Sequence, residues 1–207
     1  MTTGLSRQVV IIDSGGANLA SLRYAFERLG VEPLVSSDPR IIGDAERVVL
    51  PGVGNAAAIM ERLEASQLRD VLRRLQCPLL GICLGMQLLF ESSAEGDTPG
   101  LGILPGRVEP FAASPGHPVP HMGWNTLQPR LDDPLLHGIG TDDWFYFVHG
   151  YRVPAQASGM IATTDYGECF ASVVRQRNFR GVQFHPERSG SAGARLLGNF
   201  MELDACC

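Results

Sequence analysis

A cysteine set between two glycines is the first feature of this sequence that could carry chemistry. The segment Gly81-Ile82-Cys83-Leu84-Gly85 has the G-x-nucleophile-x-G form of a sharp turn from a strand into a helix. Flanking glycines let strand and helix cross closely, and a helix N-terminus favours the thiolate. The backbone N–H of Leu84 would then be free to donate to an oxyanion. The alternative is that Cys83 is a small core residue, as most lone cysteines are.

A histidine and a glutamate that could activate this cysteine follow about a hundred residues later. In the extended segment Gly181–Glu187, alternate side chains share a face, so His185 and Glu187 should project together while Val182 and Phe184 enter the core. His185 would accept the Cys83 proton, and Glu187 would fix the imidazole tautomer. An incidental ion pair at a strand end is the alternative, but all three residue types in fitting contexts favour a Cys83–His185–Glu187 triad.

The elements that must position these residues follow an alternating pattern in the first half of the chain. Short β-branched runs alternate with amphipathic stretches, which predicts a mostly parallel sheet flanked by helices. The predicted strands are Val9–Ile12, Val48–Leu50 and Leu79–Ile82. The predicted helices are the stretch from Leu19 to Leu29, ended by Gly30, then Arg62–Leu75 and Leu84–Phe90.

After about residue 100, proline and glycine become frequent and short strand-like segments follow one another. We interpret these as antiparallel additions to the same sheet, closed by a final helix, Ala192–Met201. We find no repeat or linker and predict a single α/β domain over residues 1–207. The strand-like segments are Arg107–Pro110, Val119–His121, Trp144–Val148, Ile161–Thr164, Ala171–Val174 and Gly181–Phe184.

The composition excludes several classes of function. A net charge of −5 and a pI near 5.5 argue against nucleic-acid binding. The sequence has no apolar run long enough for a membrane span and no signal peptide, which predicts a soluble cytoplasmic protein. Five irregularly spaced cysteines indicate neither a disulfide framework nor a metal site. All 17 basic residues are arginine, which excludes lysine Schiff-base chemistry.

Several blocks of sequence together resemble a known family. In order along the chain, PGVG, GICLGMQ and GVQFHPE are similar to the signature blocks of triad-type, class I glutamine amidotransferases. The blocks PHMGWN and YFVHGY, with Asp13 and Asn18-Leu19 near the start, resemble those of the glutaminase subunits of imidazole glycerol phosphate synthase. The resemblance covers essentially the whole chain and implies a flavodoxin-like fold.

The resemblance also implies an activity and a set of site residues. Cys83 would attack the side-chain amide of L-glutamine and form a thioester that water hydrolyses, without cofactor or metal. Backbone N–H groups of Val53 and Leu84 would hold the oxyanion. Gly52, Gln87, Glu95 and the main chain of His149, Gly150 and Tyr151 would bind glutamine. A helix-surface amide and a solvated acid are the alternatives for Gln87 and Glu95.

The implied partner is a (β/α)8-barrel cyclase that consumes the ammonia in histidine biosynthesis. A sealed route is needed because ammonia released to water would be protonated and lose its nucleophilicity. The resemblance places Asn18, Met122, Trp124 and Asn125 at the interface of this heterodimer. An ordinary half-buried core aromatic is the alternative for Trp124.

Three other functions remain open on the sequence. The chain could supply ammonia for anthranilate, purine or pyridoxal phosphate synthesis, although PHMGWN and YFVHGY speak against these pathways. It could be a free-standing cysteine hydrolase of γ-glutamyl compounds, which should turn over rapidly alone. It could be a regulatory scaffold without activity, which an intact triad disfavours.

Overall fold

A twelve-stranded mixed sheet dominates the fold of the described part of the chain. The structure is a computed structural model that describes residues 8–15 and 19–204. A separate two-stranded ribbon packs beside this sheet. The strands are β1 (Val9–Ile12), β2 (Leu34–Ser36), β3 (Arg47–Gly52), β4 (Leu79–Cys83), β5 (Phe90–Ser93), β6 (Thr98–Pro99), β7 (Leu104–Pro110), β8 (His121–Thr126), β9 (Gln128–Pro129), β10 (Trp144–His149), β11 (Tyr151–Pro154), β12 (Met160–Asp165), β13 (Cys169–Gln176) and β14 (Phe179–Val182).

Five parallel strands in the order β2-β1-β3-β4-β14 form the part of the sheet that carries the cysteine. The register pairs Gly52 of β3 with Cys83 of β4, and Val182 of β14 with Ile82. The carboxyl ends of β3, β4 and β14 therefore meet at one edge. This is the edge where α/β sheets bind ligands.

Both faces of β1, β3 and β4 are buried, which explains the continuously apolar runs in these three strands. In β1, Val9 and Ile11 pack on one face with helix residues such as Phe26 and Leu196. Val10 and Ile12 pack on the opposite face. The parallel arrangement of the first half is thus confirmed.

The second half differs from the sequence prediction in three respects. Strand β14 was predicted as an antiparallel addition but lies parallel to β4 inside the central sheet. Strands β8 and β10 pair only with each other, antiparallel from Trp144↔Thr126 to His149↔His121, so not all of these strands join one sheet. The segment Val119–His121 was also placed too early, because β8 begins at His121.

The helices also differ in extent from the prediction. Instead of one helix over Arg62–Leu75 there are two, with a break at Gln67, whose φ is 58°. The predicted helix Leu84–Phe90 ends after one turn, and Phe90 begins β5. The helices are α1 (Leu19–Glu27), α2 (Pro39–Gly43), α3 (Ala56–Ala65), α4 (Leu68–Arg74), α5 (Leu84–Gln87) and α6 (Gly190–Glu202).

Helix α6 supports the site from behind, because it packs against the 3₁₀ turn Pro186–Arg188 that carries Glu187. Gly193 permits this contact. A Cβ atom at Gly193 would overlap the carbonyl oxygen of Pro186, whereas a Cβ at Gly198 in the same helix would meet no atom within 4 Å. The close approach of α6 to the turn therefore depends on one glycine.

These two glycines give a matched test of the packing. We expect Gly193→Ala to lower the free energy of unfolding by about 1–3 kcal/mol, because the new methyl group overpacks the helix against the turn. Gly198→Ala should raise it by about 0.5–1 kcal/mol, because alanine is the better helix former. Urea titrations followed by circular dichroism measure both. Equal effects of the two substitutions would contradict this account.

Candidate active site

Cys83 occupies the strained turn that its sequence context predicts. It is the last residue of β4, and its backbone has φ 53° and ψ −110°, a left-handed φ that non-glycine residues rarely adopt. Gly85 makes the turn possible, since a Cβ there would overlap the carbonyl oxygen of Leu50 in β3. The nucleophile elbow is therefore confirmed as a local geometry.

The helix that follows the elbow is much shorter than predicted. Helix α5 spans only Leu84–Gln87, because the chain turns at Leu88 and enters β5. A macrodipole builds up from aligned peptide units, and a single turn aligns few of them. The dipole therefore contributes less to stabilising a Cys83 thiolate than the sequence analysis assumed.

His185 and Glu187 lie together, although not by the extended geometry that we predicted. His185 is extended, but residues Pro186–Arg188 form a 3₁₀ turn. Even so, His185 Nδ1 lies 2.8 Å from Glu187 Oε1, and each side chain is only 7% exposed. The His185 backbone is held by its own N–H, which donates to the Tyr146 carbonyl, and by the Ser189 hydroxyl, which donates to its carbonyl.

This arrangement leaves one nitrogen of His185 for proton transfer. The carboxylate of Glu187 accepts from Nδ1, and Nε2 is buried with no hydrogen-bond partner among residues 8–15 and 19–204. Burial by itself lowers the pKa of His185, but interactions with Cys83 and Glu187 raise it to about 10. Because no group stands in hydrogen-bonding geometry to Nε2, the effect of Cys83 is that of a charge held nearby. An imidazolium is therefore favoured at His185 whenever the neighbouring sulfur is anionic.

The sulfur of Cys83 has two further neighbours. The Val148 carbonyl oxygen lies 3.8 Å from Sγ, and the side-chain Nε2 of Gln183 lies 3.7 Å from it on the buried side. Cys83 is only 6% exposed. Neither Val148 nor Gln183 was predicted from the sequence as a site residue. A signal for Gln183 was present in the predicted extended segment Gly181–Glu187, where it would share a face with His185 two residues away. In the structure β14 already ends at Val182.

A cavity of about 320 Å³ opens over the cysteine and is large enough for an amino acid. Gly52, a predicted substrate contact, does not line it; this residue pairs with Cys83 in the sheet and borders a separate small void. Pro120, Val148 and Arg188 line the cavity without having been predicted. The predicted residues that line it are Val53, Cys83, Leu84, Gln87, Glu95, His149, Gly150, Tyr151, His185 and Glu187.

Gln87 and Glu95 both make specific contacts at the cavity. Gln87 is 5% exposed, and its Nε2 donates to the Tyr151 carbonyl and to Gln183 Oε1, each at 2.9 Å. A helix-surface amide is therefore the wrong description. Glu95 Oε2 accepts from the backbone N–H of Ala56 at 2.8 Å, at the start of α3. Glu95 is thus held at the cavity wall rather than simply solvated.

A pair of neutral histidines supports the part of the cavity wall formed by His149, Gly150 and Tyr151. His149 Nδ1 donates to the Tyr151 carbonyl at 2.8 Å, so its Nε2 accepts from His121 Nδ1 at 3.0 Å. Burial lowers the pKa of His149 to about 3, and burial together with His117 lowers that of His121 to about 4. Both rings are therefore uncharged near neutral pH. His121 was not predicted as a site residue, because its contact with His149 arises from the pairing of β8 with β10.

Of the predicted interface residues, Met122 and Trp124 lie on one exposed face of the β8–β10 ribbon. Met122 and Trp124 are 62% and 53% exposed, so the core-aromatic alternative for Trp124 is wrong. Trp144, also 55% exposed, shares this face. Asn125 instead donates to the Asp165 carbonyl at 2.8 Å, and Asn18 lies outside the described residues.

The Trp124 ring is held in place by its own chain. It packs edge-on against Tyr146 with ring centroids 5.9 Å apart. On the same tyrosine the Arg188 guanidinium lies 4.6 Å from the ring centroid. This contact links the exposed ribbon face to the turn that carries Glu187.

Two negative findings concern the described ranges. They contain no group of three or more His, Cys, Asp or Glu side chains placed to hold a metal ion. None of their helices is long and apolar enough to cross a membrane.

Comparison with known proteins agrees with this geometry. Residues 10–203 match the sequence model of the family described as glutamine amidotransferase class-I. The chain is 53% identical over 198 residues to the imidazole glycerol phosphate synthase subunit HisH of Xylella fastidiosa strain Temecula1, covering 96% of this chain and 98% of that relative. The HisH of Xanthomonas campestris pv. campestris strain 8004 is 53% identical over 195 residues, with coverage of 94% and 97%.

A solved structure shows the same fold. A crystal structure of a glutamine amidotransferase superposes with a TM-score of 0.72 at 22% identity and covers 94% of this chain and 97% of its own. The chain therefore belongs to the class-I glutamine amidotransferase family, alongside the HisH subunits of imidazole glycerol phosphate synthase.

Proposed function

We propose that this chain is the glutaminase subunit of an imidazole glycerol phosphate synthase, and that residues 1–207 act as one glutaminase domain. It hydrolyses L-glutamine to glutamate and ammonia and passes the ammonia to a cyclase subunit. One observation carries the proposal. Cys83 sits on a strained elbow at the floor of a cavity, beside a buried His185 whose Nδ1 is held by Glu187 at 2.8 Å.

The first half of the reaction forms a thioester. The Cys83 thiol gives its proton to His185 Nε2, and the sulfur attacks the side-chain amide carbon of glutamine. The carbonyl oxygen becomes an oxyanion, for which the backbone N–H groups of Val53 and Leu84 are the donors in our proposal. His185 then returns the proton to the amide nitrogen, the C–N bond breaks, and ammonia leaves.

The second half hydrolyses the thioester. Neutral His185 takes a proton from water, and the hydroxide attacks the thioester carbon through a second oxyanion. The C–S bond breaks, His185 gives its proton to the released sulfur, and glutamate leaves, which restores the thiol and the neutral imidazole for another cycle. Throughout the cycle the Glu187 carboxylate accepts a hydrogen bond from His185 Nδ1–H. The other nitrogen, Nε2, is therefore always the one that transfers protons.

Substrate binding uses the wall away from the triad. Glu95 and the Gln87 side-chain oxygen supply acceptors for the glutamine ammonium group, and the main chain of His149, Gly150 and Tyr151 supplies further polar groups. The neutral His121–His149 pair supports this role, because uncharged rings do not repel an ammonium group. The mechanism requires no cofactor.

The partner in this proposal is a (β/α)8-barrel cyclase, in line with the subunit names of the HisH relatives. The exposed ribbon face of Met122, Trp124 and Trp144 supports the proposal, since large exposed apolar side chains gathered on one face favour a protein contact. We propose Asn18 and Asn125 as further interface residues. A covered route protects ammonia from protonation in bulk water.

The first prediction concerns the nucleophile. A glutamine analogue that carries a diazo-ketone should alkylate Cys83 with one molecule per chain and abolish glutamine hydrolysis, because only this cysteine lines the cavity among the described ones. Peptide mass spectrometry locates the adduct, and excess glutamine should protect. Cys169→Ser is the control and should react as the wild type does. Stoichiometric inactivation through Cys77 or Cys169 would overturn the assignment.

The second prediction separates the base from its orienting group. His185→Ala should lower kcat by about 10²–10⁴, the usual value of general acid–base catalysis. Glu187→Gln should cost less, because the base remains while its charge partner is lost. The exposed His137→Ala serves as a control with unchanged kcat. Near-normal turnover in both His185→Ala and Glu187→Gln would exclude this triad.

A third prediction tests the partnership. Mixed with the cyclase subunit, the chain should hydrolyse glutamine faster than it does alone. In the complex, Cys83→Ala should abolish formation of the imidazole product from glutamine but leave its formation from added ammonium salts intact. Trp124→Ala should weaken cyclase binding or let glutamate form faster than the imidazole product. Both products are measured in one reaction mixture.

The equally exposed Leu131→Ala is the control for this experiment, because Leu131 lies outside the ribbon. A lone chain that is already fully active, and that a cyclase neither binds nor accelerates, would refute the assignment to this synthase. It would leave the glutaminase chemistry standing.

A further inference from the structure

Gln183 is a buried amide beside the nucleophile that the mechanism above does not use. Its side chain is fully buried, and its backbone N–H donates to the Ser172 carbonyl at 2.9 Å in the strand beside it. Its side-chain Nε2 approaches Cys83 Sγ at 3.7 Å from the interior of the protein. An amide in such a place is costly to bury unless its hydrogen bonds are made, so its contacts carry information about its role.

The orientation of this amide is determined by a chain of hydrogen bonds. The Tyr151 carbonyl can only accept, so the group of Gln87 that faces it must be the NH₂ group. The second hydrogen of that NH₂ group goes to Gln183 Oε1 at 2.9 Å. Gln183 must therefore present its own NH₂ group to the sulfur of Cys83, and the reverse flip of either amide would place like groups together.

We propose that Gln183 is a positioning residue of the glutaminase: its amide N–H holds and stabilises the anionic sulfur of Cys83, and Gln87 aligns that amide from the end of the cavity where the amino-acid group of the substrate binds. The inference rests on the proposed glutaminase function and deepens it. It assigns to the glutamine of the GVQFHPE segment a role in the chemistry of the cysteine, distinct from proton transfer by His185.

The two neighbours of the sulfur favour opposite protonation states. The Val148 carbonyl at 3.8 Å can accept from the thiol but opposes a thiolate, because its negative end faces the sulfur. The Gln183 N–H at 3.7 Å favours the thiolate, because hydrogen bonds to an ionised acceptor are stronger than those to a neutral one. With His185 as the proton acceptor, Gln183 offsets the carbonyl when the proton leaves the sulfur.

Through the same series of hydrogen bonds, binding of the substrate's ammonium group affects the sulfur of Cys83. Nε2 of Gln87 uses both hydrogens inside the protein, and no donor among the described residues reaches its Oε1. Gln87 also lines the cavity. An ammonium group that donates to Gln87 Oε1 polarises this amide, strengthens its bond to Gln183 Oε1, and makes the Gln183 N–H a better donor to the sulfur.

The direct test measures the sulfur itself, without glutamine turnover. Iodoacetamide alkylation of Cys83 is followed by peptide mass spectrometry from pH 5 to 10 in the full-length chain, for the wild type and for Gln183→Met, which keeps the side-chain length but has no donor. The pH of half-maximal alkylation rate should rise by about one unit, a tenfold change. Alkylation of the exposed Cys169 in the same samples is the internal reference and should not move.

Two further variants separate this role from a merely structural one. Gln183→Glu keeps shape and polarity but places a carboxyl oxygen at the sulfur, so its half-maximal pH should also rise. Gln87 does not touch the sulfur, yet Gln87→Met should move the Cys83 alkylation profile to higher pH as well. The double variant Gln87→Met/Gln183→Met should move the profile no further than Gln183→Met alone. The control Ser172→Ala removes a buried hydroxyl beside Gln183 and should leave the profile unchanged.

Steady-state kinetics with the cyclase subunit present complete the test. Gln183→Met should lower kcat about tenfold with little change in KM, whereas Gln87→Met should change both. If wild-type chain does not hydrolyse glutamine, the proposed function fails. If it does, and folded Gln183→Met or Gln183→Glu keeps the wild-type alkylation profile and kcat, the role of Gln183 is refuted while the glutaminase stands. An unmoved profile in Gln87→Met refutes the alignment through Gln87.

Discussion

The close crossing of β3, β4 and α5 is the constraint on which the rest of the site depends. Gly85 lies against the Leu50 carbonyl, and this contact forces the chain to reverse at Cys83 with a positive φ. In that conformation Cys83 still belongs to a strand that is buried along its whole length. The strain is held because β3 and β14 hydrogen-bond to both edges of β4.

Groups from distant parts of the chain converge on this elbow, and each is fixed by its own element. His185 follows β14, which neighbours β4, while Glu187 is held by a turn that packs on α6. Val148 comes from the β8–β10 ribbon. The raised pKa of His185 follows from this convergence, since burial alone would lower it and only the nearby Cys83 and Glu187 reverse the effect. The His121 and His149 rings near the cavity, in contrast, are uncharged near neutral pH.

The buried amides join these two regions. Gln87 reaches the Tyr151 carbonyl on one side and Gln183 on the other, and Gln183 reaches the sulfur. Gln87, Gln183 and Cys83 are nearly or fully buried, so each hydrogen bond among them restricts its neighbours more than it would in water. The ribbon connects the site outward as well, because Tyr146 contacts both Trp124 and Arg188. A small set of contacts thus links the cavity, the sulfur of Cys83 and the exposed ribbon face.

The sequence by itself determined the elements whose signals are local. Side-chain pattern and glycine spacing predicted three features that the structure confirms. These are the strand Val9–Ile12, the elbow around Cys83 and the burial of Val182 and Phe184 in the core. The family followed from blocks of contiguous residues. Only the tertiary structure decided the rest. Four features depend on which strands pair and in what register: the parallel placement of β14, the separate ribbon, the early end of α5 and the His121–His149 contact. Strand pairing and register are set by long-range packing, which no local pattern encodes. The contact of Gln183 with the sulfur arises in the same way, because 100 residues separate the two in the chain while the pairing of β14 with β4 makes them neighbours.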